Sequence, residues 1–158
     1  CATIQFDFSL PERFELTYED QNSNKQQPIM LHRVIYGAVE RFLGILIEHF
    51  AGAFPVWLAP VQVAIVPVSD AHLDYAKDVK EQLVAQGVRV HIDDRSESVG
   101  KKVREQIIAK IPYILTLGDK EIKAKTLAIR TRDEKVRFKV KLTTFLKELD
   151  EMIKGRKL

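Results

Sequence analysis

Residues 61–87 read VQVAIVPVSDAHLDYAKDVKEQLVAQG, and this stretch decides the fold. Residues 61–66 form a β-branched apolar run of strand length. Residues 70–86 then carry helical spacing, with Ala76, Val79, Leu83 and Val84 on the inward side. Gly87 stands where a helix C-cap wants a residue free to take positive φ. Strand, helix and cap in that order open an α/β unit. Downstream, 88–92 reads as a strand, 99–111 as a helix and 113–117 as a strand. Residues 122–129 and 136–142 read as strands flanking a charged turn at 130–135, and 143–154 as an amphipathic helix capped by Thr143. The order β-α-β-α-β-β-β-α fills about 100 residues, an ordinary domain size, and predicts a mixed sheet flanked by helices.

Upstream the pattern differs. Residues 53–60 hold two prolines, Trp57 and no charge, the composition of a tightly packed connector, and the boundary falls near Pro60, giving domains 1–58 and 59–158. Residues 2–8 alternate, Ile4, Phe6 and Phe8 against Thr3, Gln5 and Asp7, so Gln5 and Asp7 face away from the apolar side. Residues 14–18 read as a second strand, 19–27 as a polar loop and 28–34 as a third strand, together an antiparallel meander. Val39, Phe42, Leu43, Leu46, Ile47 and Phe50 then recur at helical spacing up to Gly52. With Ala38 and Ile45 widening that stripe, the helix should be broadly buried.

The chain has 158 residues, 46% hydrophobic and 30% charged, enough to bury a core. Its one cysteine, Cys1, permits no intrachain disulfide, which fits a reducing compartment, the cytoplasm or an organelle matrix. Apolar stretches are interrupted well short of about 18 residues, so no membrane role is expected. The chain opens at Cys1 rather than Met and runs straight into strand-like sequence, as a piece of a longer protein would. Its net charge of +3 hides a division. Residues 1–58 carry 4 basic and 7 acidic side chains, whereas 120–141 alone carry 9 basic against 3 acidic. Clustered Lys and Arg favour a polyanionic partner through counterion release, though a solvated strand face has the same composition.

Few motifs carry chemistry by themselves. Gly37-Ala38-Val39-Glu40-Arg41 opens the first long helix directly after a strand. A small residue at such a junction lets a ligand approach backbone, and Arg41 could meet phosphate oxygens near the helix N-terminus. Flanked by Phe42 and Leu43, its guanidinium needs an anionic partner, either Glu40 or a ligand. His32 sits in an apolar strand. His49, His72 and His91 lie in other elements, and no Cys-x-x-Cys or His-x-x-x-His spacing occurs, so the chain cannot build a zinc site alone, although the Cys1 thiol could contribute a ligand. Gly-x-Ser-x-Gly, Gly-x-Gly-x-x-Gly and the phosphate-loop pattern are all missing, which excludes the hydrolase and dinucleotide classes they mark.

Taken together, residues 29–62, with Ile29-Met30-Leu31-His32-Arg33, Gly37 to His49 and Ala51 to Gln62, closely resemble the end of the catalytic domain of the threonyl-tRNA synthetases. Residues 1–13 resemble the strand segment before it. Asp93-Asp94-Arg95, Gly100, Arg104-Glu105, Ile111-Pro112-Tyr113, Gly118-Asp119-Lys120-Glu121 and Ile129-Arg130-Thr131-Arg132 resemble the anticodon-binding domain of the same family. The resemblance spans essentially the whole chain.

That resemblance implies the last strands and helix of an antiparallel class II catalytic domain, followed by an α/β anticodon-binding domain. Gly37 to Arg41 matches the third class II signature motif, whose Arg binds ATP phosphates, so Arg41 becomes the catalytic ATP contact, with Gly37 beside it and Mg2+ accompanying ATP. His32 matches the family's third zinc ligand, the other two lying upstream. In this family zinc binds the amino and hydroxyl groups of threonine, a discrimination against valine that an apolar pocket alone supplies only about a hundredfold. Gln5 matches a threonine-pocket residue. Glu121 and Arg130 match anticodon readers, with Lys120, Lys123 and Lys125 on phosphate. Arg95 joins them, although Ser96 after it stands where the family often has Asn. The implied partners are threonine tRNA, ATP, threonine and a second copy of the chain through the catalytic domain. These 158 residues alone, lacking the first two signature motifs, should be inactive. Two rival readings are a non-catalytic tRNA-binding or accessory module, and a sister class II synthetase for proline, glycine or histidine.

Overall fold

The computed structural model describes residues 2–158, so Cys1 lies outside the described residues. The chain divides into two compact units, one ending at His49 and one running from Phe50 to Leu158. Among the described residues no helix is long and apolar enough to cross a membrane.

In the first unit, strand β1 (Thr3–Asp7) pairs antiparallel with strand β4 (Met30–Val34). Between them lie helix α1 (Ser9–Arg13), strand β2 (Tyr18–Glu19) and strand β3 (Lys25–Gln26). The register sets Gln5 opposite His32 and Phe6 opposite Leu31. Thr3, Gln5, Asp7 and His32 therefore share one face of the ribbon, and Ile4, Phe6 and Leu31 the other, as the alternation predicts.

Three expectations need correction here. The second strand, read at 14–18, shrinks to Tyr18–Glu19, because Phe14 caps α1 and the chain leaves that helix through Glu15 at φ +48°. The Asp7 carboxylate starts α1 by accepting the Ser9 and Leu10 N–H groups at 2.8 and 3.0 Å. The polar stretch 19–27 is not a plain loop but a hairpin of β2 on β3, its tip closed by Asp20 accepting the Asn22 and Asn24 N–H groups at 2.8 and 2.9 Å. Helix α2 (Val39–Phe50) forms where the stripe places it but buries none of its residues. Val39, Leu43, Ile45 and Ile47 are all exposed, since a two-stranded ribbon and a small hairpin offer too little surface to cover a three-turn helix.

The second unit is built on a five-stranded sheet of order β6-β5-β7-β8-β9. Its strands are β5 (Val63–Pro67), β6 (Val90–Ile92), β7 (Tyr113–Leu117), β8 (Leu127–Thr131) and β9 (Val136–Val140). β5 runs parallel to β6 and β7, while β7, β8 and β9 are antiparallel, so the sheet is mixed as expected. A single 3-10 turn at Asp70–His72 leads into α3 (Leu73–Ala85), and α4 (Val99–Ile108) follows β6. β6 and β7 flank β5 on opposite sides. Right-handed crossovers therefore place α3 and α4 on opposite faces of the sheet.

The main core joins Val63, Ile65, Leu115, Leu117, Leu127 and Ile129 to Ala76, Val79 and Leu83 of α3. Phe145 and Leu149 of the final helix α6 (Leu142–Lys154) complete it, with the Phe145 ring edge-on to Tyr113 at 5.2 Å between centroids. Gly87 has φ +76°, as its capping position requires.

Local chemistry overrides the sequence reading at three more places. Residues 122–129 are not one strand: α5 (Asp119–Ala124) precedes β8, because the Glu121 carboxylate accepts the Gly118 N–H at 3.1 Å and Lys125 ends the helix in the left-handed region, φ +50°. α6 starts before Thr143, with Lys141 at the cap position and no side-chain cap. Val84 is exposed rather than inward, since Val79 and Leu83 already occupy the face against the sheet.

The stretch before β5 is packed within this second unit, with Pro55, Val56 and Ala59 buried. Buried Gln62 donates to the Val56 carbonyl at 2.8 Å and accepts from the Arg89 N–H at 2.9 Å. Arg132 donates to the carbonyls of Ala53, Phe54 and Lys110.

Candidate functional site

The ribbon of the first unit brings Gln5 and His32 side by side as a cross-strand pair. Asp7, on the same face, holds the imidazole: its Oδ2 lies 2.8 Å from His32 Nε2, while its Oδ1 accepts the two N–H groups at the start of α1. The Leu10 N–H foremost, and His32 next, hold the Asp7 carboxyl below its ordinary range. With Nε2 engaged by a carboxylate, Nδ1 is the nitrogen left for a metal, the pairing that orients many metal-bound imidazoles. The donor set stops there. Among the described residues no group of three or more His, Cys, Asp or Glu could hold a metal ion, and His32 with its free Nδ1 is chemically able to serve as a single imidazole donor.

Gly37 lies in the link between β4 and α2, and Arg41 in the first turn of α2. The expectation of a buried Arg41 fails, for the reason that leaves α2 uncovered: the guanidinium is exposed and, among the described residues, forms no ion pair with Glu40 or any other carboxylate. An exposed, unpaired Arg in the first turn of a helix is available to an anion.

In the second unit, the three anticodon candidates stand in different circumstances. Arg130, half-buried on β8 opposite Ile114 and Val136, has a guanidinium without a protein partner among the described residues. Glu121 spends one carboxylate oxygen on the Gly118 N–H and lines a cavity of about 380 Å³ together with Lys120, Ala124, Thr126, Phe138 and Lys139. Arg95 is heavily engaged. Its fork grips buried Asp93 at 2.8 and 2.7 Å, and Nη2 also meets Glu105, leaving Nη1 as the free edge. The Arg95 hydrogen bonds, against the opposing effect of burial, bring Asp93 down to about 2.

His72 links the parts of this surface. The Ser69 N–H donates to His72 Nδ1 at 3.1 Å, so Nε2 carries the proton that it offers to Asp119 at 3.2 Å. The turn after β5 is thereby tied to the first residue of α5, with Gly118 packed closely on Val68. Sequence reasoning passed over three residues here: Lys102, buried on α4; Phe138, 68% exposed beside Glu121; and Arg132. A lysine where the helical period wants an inward residue was the one available signal for Lys102.

Comparison with known proteins follows this division. The model of the anticodon binding domain matches residues 62–152, and that of the tRNA synthetase class II core domain (G, H, P, S and T) matches residues 1–50. A threonine–tRNA ligase from Desulfosudis oleivorans is 55% identical over 156 residues, 99% of this chain and 24% of that protein. One from Desulforapulum autotrophicum is 48% identical over 158 residues, 100% of this chain and 25% of that protein. The chain thus spans about a quarter of the length of the curated relatives it matches. The crystal structure of the RNA binding domain of threonyl-tRNA synthetase from Cryptosporidium parvum Iowa II superposes with a TM-score of 0.81 at 33% identity, covering 96% of this chain and 39% of that one.

Proposed function

Because the chain belongs to the anticodon binding domain family, we propose that it serves as the carboxy-terminal part of a threonine–tRNA ligase, residues 59–158 gripping the anticodon of threonine tRNA and residues 1–58 completing the threonine and ATP site. One observation carries this reading: identity of 48 to 55% to threonine–tRNA ligases runs over essentially all of the chain, through both units.

The geometry supports a role for each part. Unstacked anticodon bases offer hydrogen-bonding edges, which the free Arg130 guanidinium and the remaining Glu121 oxygen address, while Lys120, Lys123 and Lys125 meet phosphates. Arg95 contributes only its Nη1 edge. On the ribbon, Asp7 engages His32 Nε2, so Nδ1 is the nitrogen that would hold zinc, and Gln5 stands beside it to receive threonine. Zinc bound there would supply a Lewis acid able to take the substrate's amino and hydroxyl groups. Arg41 and the backbone at Gly37 receive the phosphates of ATP and its Mg2+. A second copy and the rest of a class II core would cover α2 and the apolar ribbon face. The cytoplasm, where such ligases meet tRNA, is the expected location.

The test is selective binding. The 158-residue chain should bind a transcript of threonine tRNA at least tenfold more tightly than transcripts of the proline, glycine and histidine tRNAs. Equal binding to all four would defeat the reading. The chain alone should show no threonine-dependent exchange between ATP and pyrophosphate.

A further inference from the structure

Helix α5 carries Glu121 yet is poorly equipped to hold itself in place. It has six residues, buries none of them and ends at Lys125 in the left-handed region. A helix so short is unstable by itself, so contacts with other elements set its position. The turn after β5 supplies two. The Val68 N–H donates to the Leu117 carbonyl at 2.9 Å, and Gly118 lies so near Val68 that an added side chain would meet it at 3.3 Å. The second contact runs through His72, and its chemistry is the more demanding.

His72 is 5% exposed, so both ring nitrogens need partners from the protein. A backbone N–H can only donate. That of Ser69 reaches Nδ1 at 3.1 Å, which makes Nδ1 the acceptor and leaves the proton on Nε2. Among the described residues, Asp119 Oδ1 at 3.2 Å is the acceptor this proton finds. The Asp119 side chain is 83% exposed and would be well solvated without the bond, so the bond serves the buried imidazole. Because Asp119 is the first residue of α5, it also pins the start of that helix. Glu121 then folds back onto the Gly118 N–H at 3.1 Å, which places its carboxylate relative to the same pinned end.

We propose that His72, through Asp119, is a positioning residue for base recognition: the clasp fixes the start of α5 so that the remaining oxygen of Glu121 stands at one place before the anticodon. His72 itself touches no RNA in this scheme. The inference rests on the reading of Glu121 as a base reader and adds what makes that reader selective. A carboxylate discriminates between bases only when its oxygen is held against one hydrogen-bonding edge, since a mobile one can pair with several.

The experiment measures affinity of the 158-residue chain for threonine tRNA and for transcripts of the same tRNA with one anticodon base altered. The ratio of the two is the selectivity. Asp119→Ala, an exposed substitution, strips the Nε2 proton of its acceptor and should lower selectivity about fivefold. Asp119→Asn keeps an oxygen for the imidazole without the charge and should retain the selectivity of the parent. His72→Leu, which fills the buried space with neither bond, should match Asp119→Ala. In a Glu121→Gln background Asp119→Ala should have no further effect, because the clasp acts through that carboxylate, whereas a merely structural loss would add.

Parental selectivity in Asp119→Ala overturns the proposal. So does an equal loss in Asp119→Asn, which would make the charge and not the clasp responsible, and so does a full additional loss in the Glu121→Gln background. These outcomes are separable from failure of the underlying reading: an unsubstituted chain that does not distinguish the altered anticodons defeats the tRNA reading itself, and a selective parent matched by Glu121→Gln removes Glu121 as the reader and the clasp with it.

Discussion

The guanidinium of Arg132 donates to the Phe54 carbonyl at 2.8 Å. The same fork reaches the carbonyls of Ala53 and Lys110, so one side chain from the β8–β9 turn closes three backbone acceptors in the connector and after α4. Among the described residues Arg132 forms no ion pair, and burial lowers the affinity of its side chain for its proton.

Removing that fork leaves three carbonyls without their donor. Arg132→Ala should destabilise the second unit by roughly 3 kcal/mol, and Arg132→Lys by roughly 2 kcal/mol, because a single ammonium cannot span three acceptors in fixed geometry. Urea titration followed by circular dichroism measures both. A loss below about 0.5 kcal/mol in the alanine variant would show the bonds to be incidental.

Asp93 sets an acid dependence. In the folded chain its carboxyl sits at about 2 against an ordinary 3.8, chiefly through the hydrogen bonds from Arg95. The unfolded chain takes up this proton near 3.8 while the folded chain resists until about 2. The stabilisation is therefore complete above pH 4 and fades as pH falls towards 2. The stability gap between the parent and Asp93→Asn should shrink by roughly 2 kcal/mol from pH 5 to pH 2. A gap constant over that range would contradict the assignment.

Arg130 and Glu121 address bases in the proposed complex. Arg130→Ala should weaken binding of threonine tRNA by about 1–3 kcal/mol and reduce the preference over other tRNAs, and Glu121→Gln should relax discrimination with a smaller loss of affinity. In the full-length protein, Arg130→Ala should impair aminoacylation while leaving threonyl-adenylate formation nearly intact. Equal loss in both reactions would argue against a purely anticodon role.

His32 and Asp7 make a paired prediction for the full-length protein. His32→Ala should lose stoichiometric zinc by elemental analysis, and Asp7→Asn should lower zinc affinity ten- to a hundredfold, since its carboxylate orients the ring rather than binding the metal. Identical zinc content and affinity in all three proteins would remove His32 from the metal site.

Two glycines should respond oppositely. Gly87 has open space around it but φ +76°, so Gly87→Ala should cost about 1 kcal/mol from backbone strain alone. Gly100 is also open and lies inside α4 at negative φ, where alanine should be neutral or stabilising by up to about 1 kcal/mol. Thermal melts of the two variants check the contrast.

Local pattern was sufficient for part of this protein. The run at Val63–Pro67, the inward Ala76, Val79 and Leu83, the cap at Gly87 and the alternation that puts Gln5 opposite His32 all follow from periodicities of 2.0 and 3.6, which a chain displays before it folds. Resemblance supplied Gln5, His32, Arg41, Glu121 and Arg130 as candidate site residues. Tertiary structure decided the rest, because it depended on groups distant in sequence or on a single local bond that outweighs propensity. The Glu121 cap turns a β-prone stretch into α5, and the lack of a covering surface leaves α2 and Arg41 exposed. Asp93 and Glu105 claim most of Arg95, and Arg132 finds two of its three acceptors more than seventy residues away. The burial of most of Lys102 belongs with these, since burial is a property of the whole packing rather than of any window of sequence.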